Sequence, residues 1–195
     1  MRLRSAPFVA LSLLLAGCVA VPEVTSAPEQ FFARVHALCG RAFEGRMISN
    51  DPADGDMAGK PMVMHVRTCS ENEIRIPFVV GTDRSRTWVI SRTTEGLQLS
   101  HVHRHEDGTE DVRSRYGGTA SVPGTALRQA FPADAFSRAL FVREGIPAST
   151  ANVWALEVEP ARLFAYELTR PERRFRVEFD LSRQVPAPPS SWGER

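Results

Sequence analysis

Between residues 174 and 181 the chain alternates without a break: Phe175, Val177, Phe179 and Leu181 are apolar, and Arg174, Arg176, Glu178 and Asp180 are charged. That period of two marks a strand with one face in a core and the other in water. Shorter runs of strand character cover residues 42–49, 61–69, 74–80, 86–92, 152–159 and 163–169, with a weaker alternation over 125–131. Most are separated by brief polar or glycine-bearing turns such as SENE, TTEG, PAR and RPER. Pro77 cannot donate to a ladder, so its strand should carry it at an edge or a bulge.

The period changes in two places. Phe31, Phe32, Val35, Leu38 and Cys39 fall at helical spacing with Gly40 as a stop, and residues 132–145 do the same through Phe136, Ala139, Leu140 and Arg143. Asp134 is placed to cap the second helix, and Gly145 with Pro147 ends it. Two short helices among short, mostly hairpin-connected strands predict a mainly β protein, an antiparallel meander rather than an α/β sheet. Short strands must hide their edges, and closure does so. The expected fold is a closed or partly closed up-and-down barrel of about 8–10 strands, whose alternate residues line an interior.

The richest stretch is residues 97–116, LQLSHVHRHEDGTEDVRSRY, which holds three of the five histidines. Asp107-Gly108 fits the two-residue turn of a hairpin. That register sets His105 opposite Glu110, Arg104 opposite Asp111, His103 opposite Val112 and Leu99 opposite Tyr116. Leu97, Leu99, His101, His103 and His105 then share a face with Glu110, Val112, Ser114 and Tyr116.

Two chemistries follow from that face. Histidines two apart on a strand can converge on one ion, so His103, His105 and Glu110 form a candidate two-histidine, one-carboxylate metal site for a hydrolase or oxygenase. Alternatively His101, His103 and Tyr116 line a cavity and bind a small apolar or amphipathic ligand, haem included. A third reading leaves His105 and Glu110 as a solvated ion pair at the wet end of the hairpin, worth little. Acid–base work by His101 or His103 with Glu110 and Tyr116 is chemically open. No nucleophile elbow or glycine-rich phosphate loop is present, which weights binding over catalysis. Asp51, Asp54 and Asp56 lack the spacing of an EF-hand and read as a solvated loop, while His36 and His65 read as surface residues.

The start of the chain gives an address. Arg2 and Arg4 precede an apolar run over residues 8–16, ending in Leu15-Ala16-Gly17-Cys18. This resembles the lipobox of bacterial lipoproteins, whose signal is cleaved before the cysteine and whose cysteine carries lipid. The resemblance implies a signal peptide at 1–17, lipidation at Cys18, a tether at 18–29, a single domain at 30–183 and a proline-rich tail at 184–195. Val19, where an inner-membrane protein would carry Asp, implies forwarding to the outer membrane, facing the periplasm. With Cys18 assigned to lipid, Cys39 and Cys69 pair most economically as a disulfide in that oxidising compartment, the alternative being two buried thiols. Removing residues 1–17 takes away two arginines and no acid from the 24 basic and 23 acidic residues, leaving a nearly neutral chain. Such a balance offers nothing to nucleic acid. In general shape the expected barrel is similar to calycins such as lipocalins, although their Gly-x-Trp signature is absent, since Gly45 is followed by Arg46-Met47.

Overall fold

A computed structural model describes residues 25–120 and 124–194. The expected signal peptide, the lipobox-like stretch and Cys18 lie outside the described residues. Among the described residues, eleven strands form one antiparallel sheet: β1 (Ala42–Met47), β2 (Met62–His65), β3 (Thr68–Cys69), β4 (Glu73–Val80), β5 (Asp83–Thr93), β6 (Gly96–His103), β7 (Tyr116–Thr119), β8 (Arg128–Pro132), β9 (Val153–Glu159), β10 (Leu163–Arg170) and β11 (Arg173–Val185). Neighbours run β7-β6-β5-β4-β2-β1-β11-β10-β9-β8, with β3 added beside β4. Read around the wall, this is chain order closed by the β1–β11 pair: the expected up-and-down barrel, nearly closed, with one seam between β7 and β8.

The alternating residues of β11 face as predicted. Phe175, Val177, Phe179 and Leu181 are buried in the core with Met62, Met64, Ile74, Ile76, Trp88, Ile90, Trp154, Leu156 and Phe164. Their charged neighbours form an ion-pair network on the outer face, where Glu167 receives Arg128 at 2.7 Å and Arg174 at 2.9 Å, and Arg176 reaches Glu157 at 2.9 Å. Pro77 sits where β4 passes from β3 to β2, so its missing N–H falls in a gap of the ladder.

One end of the barrel is stoppered by helix α1 (Ala27–His36), whose Ser26 side chain caps the first turn and whose Phe31, Phe32 and Val35 are buried. The Arg92 guanidinium lies 4.1 Å from the Phe32 ring centroid and pairs with Glu29 at 2.7 Å, tying the helix to β5. Cys39 and Cys69 form a disulfide that fastens the helix exit to β3. With the two cysteines 30 positions apart in sequence, chain-entropy arguments give it roughly 3–4 kcal/mol.

The seam is sealed by helix α2 (Ala135–Arg143) rather than by a ladder. The Ser137 hydroxyl donates to the Gly117 carbonyl at 2.9 Å and accepts from the Gly117 N–H at 2.7 Å, and the Asp134 N–H also donates to that carbonyl. These bonds satisfy backbone groups that β8 leaves unpaired.

The hairpin departs from its expected register. The His105 N–H donates to Thr109 O at 2.8 Å and the Gly108 N–H to His105 O at 2.9 Å, with Gly108 left-handed at φ 87°. The connection is thus a three-residue loop, 106–108, closed by a left-handed glycine, and Arg104 faces Glu110. Residues 112–114 then loop out, the Ser114 hydroxyl takes the His103 N–H at 3.0 Å, and pairing resumes with His101 opposite Tyr116. The return strand expected at 110–116 is therefore replaced by β7, which begins only at Tyr116. The tail also differs: β11 runs on to Val185, and residues 190–194 fold back, with the Trp192 N–H on Arg84 O and the buried Ser191 hydroxyl beside Thr87. They cover Thr87, which is 3% exposed.

Candidate functional site

The end of the barrel opposite α1 is a lined mouth. Alternation along β5 and β6 points Arg86, Trp88, His101 and His103 inward, with His101 paired to Trp88 and His103 to Arg86. β7 adds Tyr116 and β10 adds Tyr166 and Leu168. Together with Phe78, Phe175 and Arg173 they enclose a cavity of about 130 Å³. Its inner wall is aromatic: Trp88 stacks on Tyr166 at 4.5 Å and on Phe78 at 4.8 Å. Outside it lies a wider depression of about 450 Å³, sharing His103, Tyr116, Tyr166 and Leu168 and adding Trp154, Arg113 and Arg170.

The hydrogen bonds fix one histidine's tautomer. His101 Nδ1 lies 3.1 Å from the Tyr116 carbonyl, which can only accept, so Nδ1 carries the proton. Nε2 then accepts from the Tyr166 hydroxyl at 2.8 Å. A second imidazole–phenol contact joins His103 Nε2 to the Tyr116 hydroxyl at 3.1 Å. The His101 ring stacks on Tyr116 at 4.7 Å.

Burial dominates the electrostatics. It pushes His101 down to about 3, helped by neighbouring His103 and opposed by the Tyr116 carbonyl. Burial and then the Arg86 charge lower His103 to about 4, and burial raises Tyr116 to about 12 and Tyr166 well above the usual phenol range. Both imidazoles are neutral at pH 7 and both phenols keep their protons. An imidazole this acidic is a weak base at neutral pH, and these phenols are weak acids, so the pairs suit hydrogen bonding better than proton transfer.

His101, His103 and Tyr116, grouped from sequence, line one cavity here. The metal set does not assemble. The one-residue change of register places Glu110 opposite Arg104, on the face away from His103. Its carboxylate is held by Arg115 at 2.9 Å, and His105 stands at the exposed tip, 3.7 Å from Asp111. Among the described residues, no three His, Cys, Asp or Glu side chains are grouped to hold a metal. Haem is far larger than the cavity, which has the volume of a benzene-sized void.

Asp54 needs the opposite correction. Read as part of a solvated loop, it is 1% exposed and receives both Arg173 guanidinium nitrogens at 2.6 Å, with Asp51 joining at 2.9 Å. This ion pair folds the 48–61 loop across one side of the mouth. The side chains missed in sequence are Trp88, Trp154, Tyr166, Arg86 and Arg170. All but Arg170 fall within expected strands, but their convergence depends on barrel closure.

The chain is thus a β-barrel stoppered at one end, with an aromatic, histidine-bearing cavity at the other. Compared with known protein families, curated proteins and solved structures, it matches none.

Proposed function

We propose that this protein is a membrane-anchored envelope lipoprotein whose barrel mouth binds a small amphipathic ligand without transforming it. The observation that carries the ligand reading is the cavity itself: an apolar, aromatic floor on which neutral imidazoles and phenols converge, with Arg86 and the Arg173–Asp54 ion pair also in its lining, the usual composition of a small-molecule site. Its size suits a single ring or a short branched chain, by comparison with an engineered void of about 150 Å³ that takes up benzene.

The anchor reading rests on the lipobox and is compatible with the fold's polarity. Residues 25–26 lead into α1 at the stoppered end, and Arg86 to Arg92 along β5 separates that end from the mouth by roughly 20 Å. The helix starts inside the expected tether, at Ala27, so a tether ending at Ser26 would leave the mouth turned away from its attachment. Blocking lipoprotein signal peptidase is expected to leave a full-length precursor in the inner membrane, and the substitution Cys18→Ala to abolish labelling by a radioactive fatty acid. Unchanged maturation under the block would remove the anchor.

For the mouth, benzyl alcohol at ten times its dissociation constant is expected to raise stability by about 1.4 kcal/mol, read from thermal melts. The substitution His103→Trp, which fills the part-exposed rim without entering the core, should cancel that shift. Equal stabilisation of both proteins would place binding elsewhere.

A further inference from the structure

Resting on that reading of the mouth, the structure assigns the ligand a charge: we propose that the site takes a small carboxylate with a single-ring apolar body, and that Arg170 is the group that recognises the acid. Four arginines line the cavity and its outer depression, Arg86, Arg113, Arg170 and Arg173, against two acids, Asp54 and Asp111. Two of those four charges are already answered. Arg173 is held by Asp54 and Asp51, and Arg86 by Asp83. Asp111 lies against His105 and takes the Arg113 backbone N–H at 2.7 Å.

Arg170 differs. Its Nη1 donates to Ser149 Oγ at 2.9 Å and to Asn152 Oδ1 at 3.2 Å, both neutral acceptors, and among the described residues it pairs with no carboxylate. A guanidinium fixed in place by neutral hydrogen bonds keeps its charge and its remaining N–H groups for a ligand, and a planar fork suits a carboxylate. It is also at the right depth. Tyr166, Leu168 and Arg170 succeed one another along β10 on the inward face, each step about 6.6 Å toward the rim. A ring seated beside Tyr166 and Leu168 would place an acid on a short spacer next to Arg170. The small cavity argues against a long acyl chain, and the mouth lies away from the proposed tether, so the acid would come from water rather than from the bilayer.

The test uses 3-phenylpropionate, its uncharged counterpart 3-phenylpropanol, and palmitate, titrated by calorimetry into the full chain and into the Arg170→Gln variant. Phenylpropionate is expected to bind roughly ten- to a hundredfold more tightly than the alcohol, as for a charge-assisted pair. Arg170→Gln should erase that preference while leaving the alcohol within about twofold, a control that also reports an intact fold. Equal affinity for acid and alcohol, or a preference that survives Arg170→Gln, would overturn the assignment and leave the mouth a neutral site. Binding of palmitate above phenylpropionate would overturn it in favour of a lipid. Binding of none of the three would remove the ligand reading of the mouth as well.

Discussion

Replacing Gly118 with valine is expected to cost roughly 3 kcal/mol or more, the upper range for forcing atoms into filled space. A Cβ on Gly118 would lie 1.9 Å from the Pro132 carbonyl oxygen and 3.2 Å from the Phe131 carbonyl carbon. Both are backbone atoms of β8, so no rotamer change relieves the overlap; β7 and β8 must part. Parting them opens the wall beside Phe131 and Leu99, which are fully buried, and strains the Ser137 bonds to Gly117. Gly55 supplies the control. Its φ of −51° suits any residue and an added Cβ would meet Pro52 O at an ordinary 3.4 Å, so Gly55→Ala should stay within about 0.5 kcal/mol. Urea unfolding of the two variants beside the parent protein measures the difference. A Gly118→Val protein as stable as the parent would mean that the two strands do not approach as described, and that the barrel is open there.

That seam shows what local sequence carries and what it does not. The alternation of β11 and the Asp134 cap of α2 are written into neighbouring residues and survive intact. The pair Gly117-Gly118 reads from sequence as loop, because glycine has weak strand preference; it is a strand because only backbone fits between β6 and β8. The hairpin tip fails for a related reason. Asp107-Gly108 is compatible with a two-residue turn and with a three-residue loop ending in a left-handed glycine, and the choice between them shifts every partner by one. The buried Ser114 hydroxyl then takes the place of a ladder acceptor, which no periodicity announces. At the site, His101, His103 and Tyr116 were legible as one face because they are close in sequence. Tyr166, 65 residues from His101, and Arg173, 119 residues from Asp54, reach their partners only when the last strand closes on the first.

The protein should lose stability as the pH falls from about 6.5 toward 4, well before most carboxylates protonate. His101 and His103 titrate near 6.5 in an unfolded chain, but only at about 3 and about 4 in the folded one. Between those limits these two groups let the unfolded state bind up to two more protons than the native state, and His65, lowered by burial and then by Arg67, adds in the same direction. Stability therefore rises with pH across this window, reaches its full value above about 6.5, and is withdrawn as the pH drops. Each fully sealed imidazole contributes a slope of at most about 1.4 kcal/mol per pH unit. His101 should supply nearly all of its share, being 3% exposed and bonded at both nitrogens. Part-exposed His103 should supply less. In the variant His101→Gln an amide can still donate and accept but cannot titrate, so the slope between pH 4.5 and 6.5 should fall by about half or more. The variant will also be weaker at neutral pH, because a buried ring is lost, and for that reason the slope is the decisive reading rather than the midpoint. Urea melts at half-unit intervals would measure it. Equal slopes in the two proteins would show that His101 takes up its proton without unfolding, and that water reaches the floor of the mouth.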